Sequence, residues 1–309
     1  MCQAKLSDAA GLAPSKERNK VWRENPPRKA GSDYIRQAKV RAMIDRKNKN
    51  FRAGAIITGI MLLIIIAGMF WTPYDPNAMN GAAKWAKPGL EHLLGADNFG
   101  RDILSRIIEG AGATFLIAAA SVAIGLVIGL VIGGLTGWFG GWVDELLMRI
   151  SDSITAFPSI LLALVIIAIL PSGKYTIIIA LGLLFIPSFA RIVRMEVAKQ
   201  KNLDYVRNAK LMGVSDMRIL FVHILPNVVP VLLSTVMIGF NNAVLSEASL
   251  SYLGIGVQPP DPSLGRMLSE AQSHLLSAPW YALSVGVAII LLVLGFGLLS
   301  EGLGGDGNA

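Results

Sequence analysis

Four polar side chains lie within or beside long apolar runs, and they are the first candidates for chemistry: Asp152, Asn241, Asn242 and Glu247. A carboxylate or carboxamide is costly in lipid, so each must face another helix, a cavity or a water-filled path. Asn241, Asn242, Ser246 and Glu247 cluster closely. They read either as interhelical hydrogen bonding or as the lining of a path for a polar solute. Asp152 stands three residues after Arg149, the spacing of neighbours on a helix face, and the pair reads as a structural ion pair, the alternative being a pathway or gate residue. Catalysis finds little support. His92, His223 and His274 are far apart, and nothing matches His-Glu-x-x-His or G-x-x-x-x-G-K-[ST]. The expectation is no catalytic residue, no metal site and no nucleotide-binding device in this chain. Cys2 is the only cysteine, so no disulfide forms within the chain. It lacks an upstream apolar stretch and does not read as a lipoprotein cysteine.

The elements that must position these residues are membrane helices. Of 309 residues 53% are hydrophobic, and mean hydropathy is +0.55, too apolar for an ordinary soluble domain. Segments of about 20 apolar residues cross a hydrocarbon core of about 30 Å. Six such segments read as helices: Gly54–Trp71, Ala113–Thr136, Leu147–Leu170, Tyr175–Val193, Val228–Ser246 and Pro279–Ser300. The first is not a cleavable signal, since it begins beyond residue 50 and Thr72-Pro73 follows. Half of the 28 Lys and Arg fall in residues 1–53, and Arg191, Arg194, Lys199, Lys201, Arg207, Lys210 and Arg218 form a second basic stretch. The segments Thr72–Gly112 and Ala248–Ala278 are close to neutral. The asymmetry puts both basic regions and both termini in the cytoplasm. The net charge of +7 then reflects topology and anionic lipid rather than nucleic acid. Residues 1–50 read as a flexible basic tail, partly helical near Tyr34–Arg46, and 51–309 as the membrane domain, with a core at about 110–302.

Several segments carry sharper expectations. Ser121, Gly125, Gly129, Gly133 and Gly137 recur every four residues, a small-residue ladder along which another helix can come close. It reads as a seam within one subunit, the alternative being a contact with a second membrane subunit. The third span should kink or loosen at Pro158. Leu93–Glu109 reads as a short interfacial helix, with Ile103, Ile107 and Ile108 on one face and Asp102, Arg106 and Glu109 off it. Within Glu247–Gln272, Gly254, Gly256, Pro259, Pro260 and Pro262 predict a rigid turn followed by a short helix near Leu264–His274.

The most informative stretch is Tyr205–Asn227, YVRNAKLMGVSDMRILFVHILPN, basic and helix-like between two spans. A helix near Leu203–Met212 would break at Gly213, which tolerates positive φ. Ser215 would cap a second helix with Asp216 in its first turn. Pro226 would sit near the start of the fifth span, where Pro is tolerated.

Five motifs together resemble a known group. They are HLLGADNFGRDILSRIIEGA (His92–Ala111), MRISDSITAFPSILLAL (Met148–Leu164), RIVRMEV (Arg191–Val197), the stretch Tyr205–Asn227, and EASLSYLGIGVQPPDPSLGRMLSEAQ (Glu247–Gln272). In this order, over about Tyr74–Gly302, they resemble the permease subunits of binding-protein-dependent ABC importers, in the branch that takes up dipeptides, oligopeptides and nickel. The resemblance implies an all-α type I importer permease fold with six transmembrane helices, in the cell membrane. It implies that the loop docks on an ATPase through Tyr205, Arg207, Asn208, Ala209, Gly213, Asp216, Leu225 and Pro226. The family's loop reads Glu-Ala-Ala, three residues, Gly, nine residues, Ile, any residue, Leu-Pro. Here Arg207-Asn208-Ala209 replaces Glu-Ala-Ala and His223 replaces Ile, while Gly213, Leu225 and Pro226 match. The end Gly304–Ala309 departs from the family's basic tail.

The partners so implied are a second homologous permease, two ATPase subunits that bind ATP and Mg, and an extracytoplasmic substrate-binding protein. The expected cargo is a peptide, with nickel or a metal chelate as the alternative. An ion-coupled secondary transporter would need charged residues deep in the spans and broken or repeated helices. A purely structural scaffold would leave Tyr205–Asn227 without a purpose.

Overall fold

The computed structural model describes residues 49–171 and 173–303. The basic tail, its helix near Tyr34–Arg46, Cys2 and Gly304–Ala309 lie outside the described residues. In order, the helices are α1 (Lys49–Gly68), α2 (Ile103–Phe139), α3 (Gly141–Thr155), α4 (Ser159–Ile169), α5 (Lys174–Lys201), α6 (Asp204–Leu211), α7 (Asp216–Tyr252), α8 (Leu264–Gln272) and α9 (Pro279–Leu303). Among the described residues there is no strand, only an isolated bridge between Ala96 and Asp102. The fold is all-α.

Among the described residues five helices, α1, α2, α5, α7 and α9, are long and apolar enough to cross a membrane. The third expected span, Leu147–Leu170, is instead a broken pair: α3 and α4 meet at 89° across Ala156-Phe157-Pro158. Pro158 lacks an N–H and disfavours helical backbone in the residue before it, so the expected loosening is a sharp bend.

The second helix begins earlier than expected. Leu93–Arg101 forms turns rather than an interfacial helix. Asp102 then caps α2, its carboxylate accepting from Ser105 N at 2.8 Å and Ser105 Oγ at 2.7 Å. From there α2 runs unbroken for 37 residues, about 55 Å at 1.5 Å per residue, well beyond a core of about 30 Å. Ile103 is fully buried, and so is Arg106, although it lies off the apolar face of the expected interfacial helix.

The small-residue ladder is an internal seam between α2 and α5. A Cβ at Gly125 would lie 2.6 Å from Phe185 Cβ, at Gly129 2.6 Å from Phe189 Cβ, and at Gly137 2.7 Å from Arg194 O. Without those side chains the backbones close to direct contact, and Ser121 Oγ donates to Ile178 O at 3.3 Å. A second small-residue contact joins α1 to α9, where Gly54 meets Leu298 and Leu299, and Gly295 meets Thr58. Met61 and Ile65 of α1, Ala118 and Val122 of α2, Val244 of α7 and Val285 of α9 share one core. The rings of Phe115, Phe240 and Phe296 meet in it at 4.0–6.2 Å.

α7 opens with an irregular turn. Ile219–Ile224 is wound more widely than an α-helix, and Leu225 N–H bonds to Leu220 O, five residues back. Pro226 and Pro230 follow, neither able to donate to the ladder. Asn227 Nδ2 donates to His223 O at 2.9 Å. Pro226 therefore lies inside a helix running from Asp216 to Tyr252, and the expected start of the span at Val228 is not a helix end.

Candidate functional site

At the Phe139 end of α2, α6 forms a short helix packed against Trp138. Val206 and Ala209 point inward and close a cluster with Trp138, Val193, Val197, Ile219, Leu220 and Ile224. Tyr205 Oη donates to Gln200 Oε1 at 2.7 Å, tying α6 back to α5. Lys201 Nζ donates to Trp138 O, and Lys210 Nζ lies 4.6 Å from the Trp138 ring centre. Arg207 and Asn208 point outward. So do Leu211 and Met212, which are 86% and 75% exposed.

The helix ends as its glycine requires. Gly213 adopts φ of +77°. Gly213 N donates to Lys210 O at 3.0 Å and Val214 N to Ala209 O at 3.1 Å, the paired C-terminal bonds that a left-handed residue permits. A Cβ at Gly213 would meet nothing within 4 Å, so the requirement is conformational rather than steric. Ser215 occupies the N-cap position of α7, but its side chain makes no capping bond. Asp216 lies in the first turn, where the helix dipole favours an anion, 3.9 Å from Lys210. Arg207 is 3.8 Å from Asp204, a loose pair between exposed groups. Tyr205, Arg207, Asn208, Ala209, Gly213 and Asp216 thus share one compact element. Leu225 packs on its cluster from α7, and Pro226 is exposed one residue on.

The other predicted residues do not form one group. Asp152 does not pair with Arg149. Arg149 bonds Glu145 at 2.7 Å, one helical turn earlier, while Asp152 reaches across to Arg191 of α5 at 2.9 Å. Asn241, Asn242 and Glu247 of α7 point three ways. Asn241 faces α9 at Gly297, with its buried Oδ1 unpartnered. Asn242 lines a cavity of about 400 Å3 bounded by α4, α5 and α7. Glu247 is fully buried against α2, accepting from Thr114 Oγ1 at 2.8 Å and from Ser251 Oγ at 2.6 Å. Thr114 Oγ1 also accepts from Leu264 N at 3.2 Å, so one carboxylate ties α7, α2 and the start of α8.

Sequence reasoning missed an ionic lattice at the Ile103 end of α2. Asp97 accepts from Arg101 Nε at 2.6 Å and lies 3.8 Å from Arg106. Glu270 of α8 takes Arg101 at 3.2 Å, Arg266 at 3.3 Å and Tyr281 Oη at 3.2 Å. Arg106 also donates to Pro76 O at 3.1 Å. The signal was the near-balanced run Asp97, Arg101, Asp102, Arg106 and Glu109. It reads as a wet helix face unless the distant Glu270 is known to return to it.

Residues 125–303 match the family described as binding-protein-dependent transport system inner membrane component. The chain belongs to that family: it is a multi-pass permease of the ABC importer class. It is 41% identical over 254 residues to the glutathione transport system permease protein GsiD of Pectobacterium atrosepticum, covering 81% of this chain and 84% of that protein. It is 38% identical over 258 residues to the dipeptide transport system permease protein DppC of Alkalihalophilus pseudofirmus, covering 84% and 85%. The fold matches a chain of the inward-facing MetNI methionine ABC transporter with a TM-score of 0.56. That match covers 64% of this chain and 94% of the other at 20% identity, and it bears on the type I permease fold alone.

Proposed function

We propose that the chain carries peptides across the cell membrane as one of two related permeases, driven through α6 by a pair of ATPase subunits that bind ATP and Mg. A substrate-binding protein delivers the cargo on the opposite side. The observation that carries the reading is α6 itself. It is a short helix whose inner face is locked into the bundle through Val206 and Ala209 and whose outer face presents Leu211, Met212 and Arg207. Such an element passes on a push without unfolding. ATP-driven closure of the ATPases favours one of two permease states by binding it more tightly, and hydrolysis releases it. Peptide is taken over nickel because the relatives reported above are named for glutathione and dipeptide transport.

The basic regions set the orientation: the N-terminus, the C-terminus and α6 inside, and the lattice around Glu270 outside. Cysteine at Lys84 should react with an impermeant thiol reagent on intact cells, and cysteine at Arg207 should not. Labelling at Arg207 would reverse the orientation. The partnership is tested by co-purification and uptake. The purified chain alone should hydrolyse no ATP, and the assembled complex should accumulate peptide in vesicles in an ATP-dependent way. Turnover by the chain alone, or a complex that moves no peptide, would overturn the reading.

A further inference from the structure

We propose that α4, α5 and α7 form this subunit's wall of the solute path, and that the wall selects for uncharged hydrogen-bonding groups, the amides of a peptide backbone, while remaining indifferent to peptide side-chain charge. The proposal rests on the permease reading above. The wall is the cavity of about 400 Å3, to which Ser159 contributes from α4, Ser188 and Phe185 from α5, and Asn242 and Ser246 from α7. Residues 242 and 246 are one helical turn apart and share a face.

These polar groups are open. Ser249, beside them, spends its hydroxyl on Leu245 O of its own helix at 2.7 Å. Among the described residues, the side chains of Ser159, Ser188, Asn242 and Ser246 make no hydrogen bond within the chain. Open hydroxyl and amide groups are costly against hydrocarbon, so this face meets water and a polar solute rather than lipid tails. An Asn carboxamide offers a donor and an acceptor, as a peptide unit does, and a hydroxyl offers both. They match groups that every peptide carries whatever its sequence.

The charges nearby are withheld from the wall. Glu247, one residue beyond Ser246, is fully buried and turned to Thr114 and Ser251. Arg191, three residues beyond Ser188, is matched by Asp152 at 2.9 Å. Among the described residues no carboxylate, imidazole or thiol lines the cavity, so a bare divalent cation would meet only neutral oxygens there and no charged or nitrogen or sulfur ligand.

The test uses the whole transporter in phospholipid vesicles, with uptake of Ala-Lys-Ala and Ala-Glu-Ala measured at saturating binding protein. Asn242→Asp should raise the Lys-to-Glu uptake ratio by about tenfold or more over wild type, and Asn242→Lys should lower it, because like charges meeting at close range repel strongly. Unchanged ratios in both variants would overturn the proposal. Should those variants fail to assemble, a chain with Cys2→Ser and Asn242→Cys decides. A water-soluble thiol reagent should modify it, and excess peptide should slow the reaction. Cysteine at the neighbouring Ala243, fully buried, should stay unmodified. An inert Asn242→Cys, or one that peptide does not protect, overturns the wall. Absence of any peptide uptake by the wild-type complex would overturn the peptide reading instead, while the labelling still reports whether the wall is wet.

Discussion

Arg191 donates to Asp152 at 2.9 Å, joining α5 to α3 just before the 89° bend. A second bridge, Arg194 to Asp144 Oδ2 at 2.6 Å, joins the same helices at the other end of α3. α3 has otherwise little buried surface, with Ser151 its only buried residue. Arg191 and Asp152 are 49% and 66% exposed, and such pairs contribute only about 0–1 kcal/mol. Asp152→Asn should therefore leave the thermal midpoint of the detergent-solubilised protein within a few degrees of wild type. If α3 is steered by the bridge, uptake should fall in Asp152→Arg and recover in the charge-swapped Asp152→Arg/Arg191→Asp. No recovery would show that the contact is incidental.

Thr114→Val tests the buried carboxylate. It removes a donor to Glu247 and an acceptor for Leu264 N, leaving two buried groups short of a partner. Each such loss costs roughly 1–3 kcal/mol. The variant should unfold at clearly lower temperature than wild type, and Glu247→Gln, which keeps the shape and one acceptor, should fall between them. Equal midpoints for wild type and Thr114→Val would remove Glu247 as a structural tie.

The α2–α5 seam has an internal control. A Cβ at Gly129 would be 2.6 Å from Phe189 Cβ and 2.9 Å from Ala190 N, whereas at Gly134 the nearest atom is 4.0 Å away. Gly129→Ala should cost about 1–3 kcal/mol through overpacking, and Gly134→Ala should be neutral or slightly stabilising. Thermal unfolding of both variants checks the contrast; equal effects would mean that the seam is loose.

Gly213 separates conformation from crowding. With φ at +77° and open space around it, Gly213→Val should strain α6 by about 1–3 kcal/mol, while Gly213→Asn, which tolerates left-handed backbone, should behave nearly as wild type. Arg207→Ala should be mild, since its partner is 3.8 Å away and exposed. Assembly with ATPase, hydrolysis and uptake should be measured for all three. Normal transport by Gly213→Val in an intact complex would reduce the segment to a topology signal.

What the sequence revealed was local. The ladder from Ser121 to Gly137 fixed a close helix contact because its spacing is a property of one helix. The Gly213 break and the helix near Leu264 were legible for the same reason, each following from the conformation of a few adjacent residues. The failures are long-range. Asp152 was paired with Arg149 because a partner 39 residues away on α5 leaves no mark on spacing. Arg106 was placed on a wet face because its burial depends on Pro76, Asp97 and Glu270, gathered from three segments. The parting of Asn242 from Glu247 was hidden for a related reason. Residues five apart on a helix lie on different flanks, and which flank faces a neighbour is decided by the neighbour.

α2 is unbroken for 37 residues and contains no proline. One end is anchored by Trp138 in the cluster beneath α6, and the other by Arg106 in the lattice with Glu270. The seam with α5 holds it from Ser121 to Gly137. An unbroken helix held in this way carries a shift at one anchor towards the other, and Gly133-Gly134 is the place along it where a bend costs least. Trp138 and Arg106 are thus the two ends of one continuous helix, which ties the cluster under α6 to the lattice around Glu270.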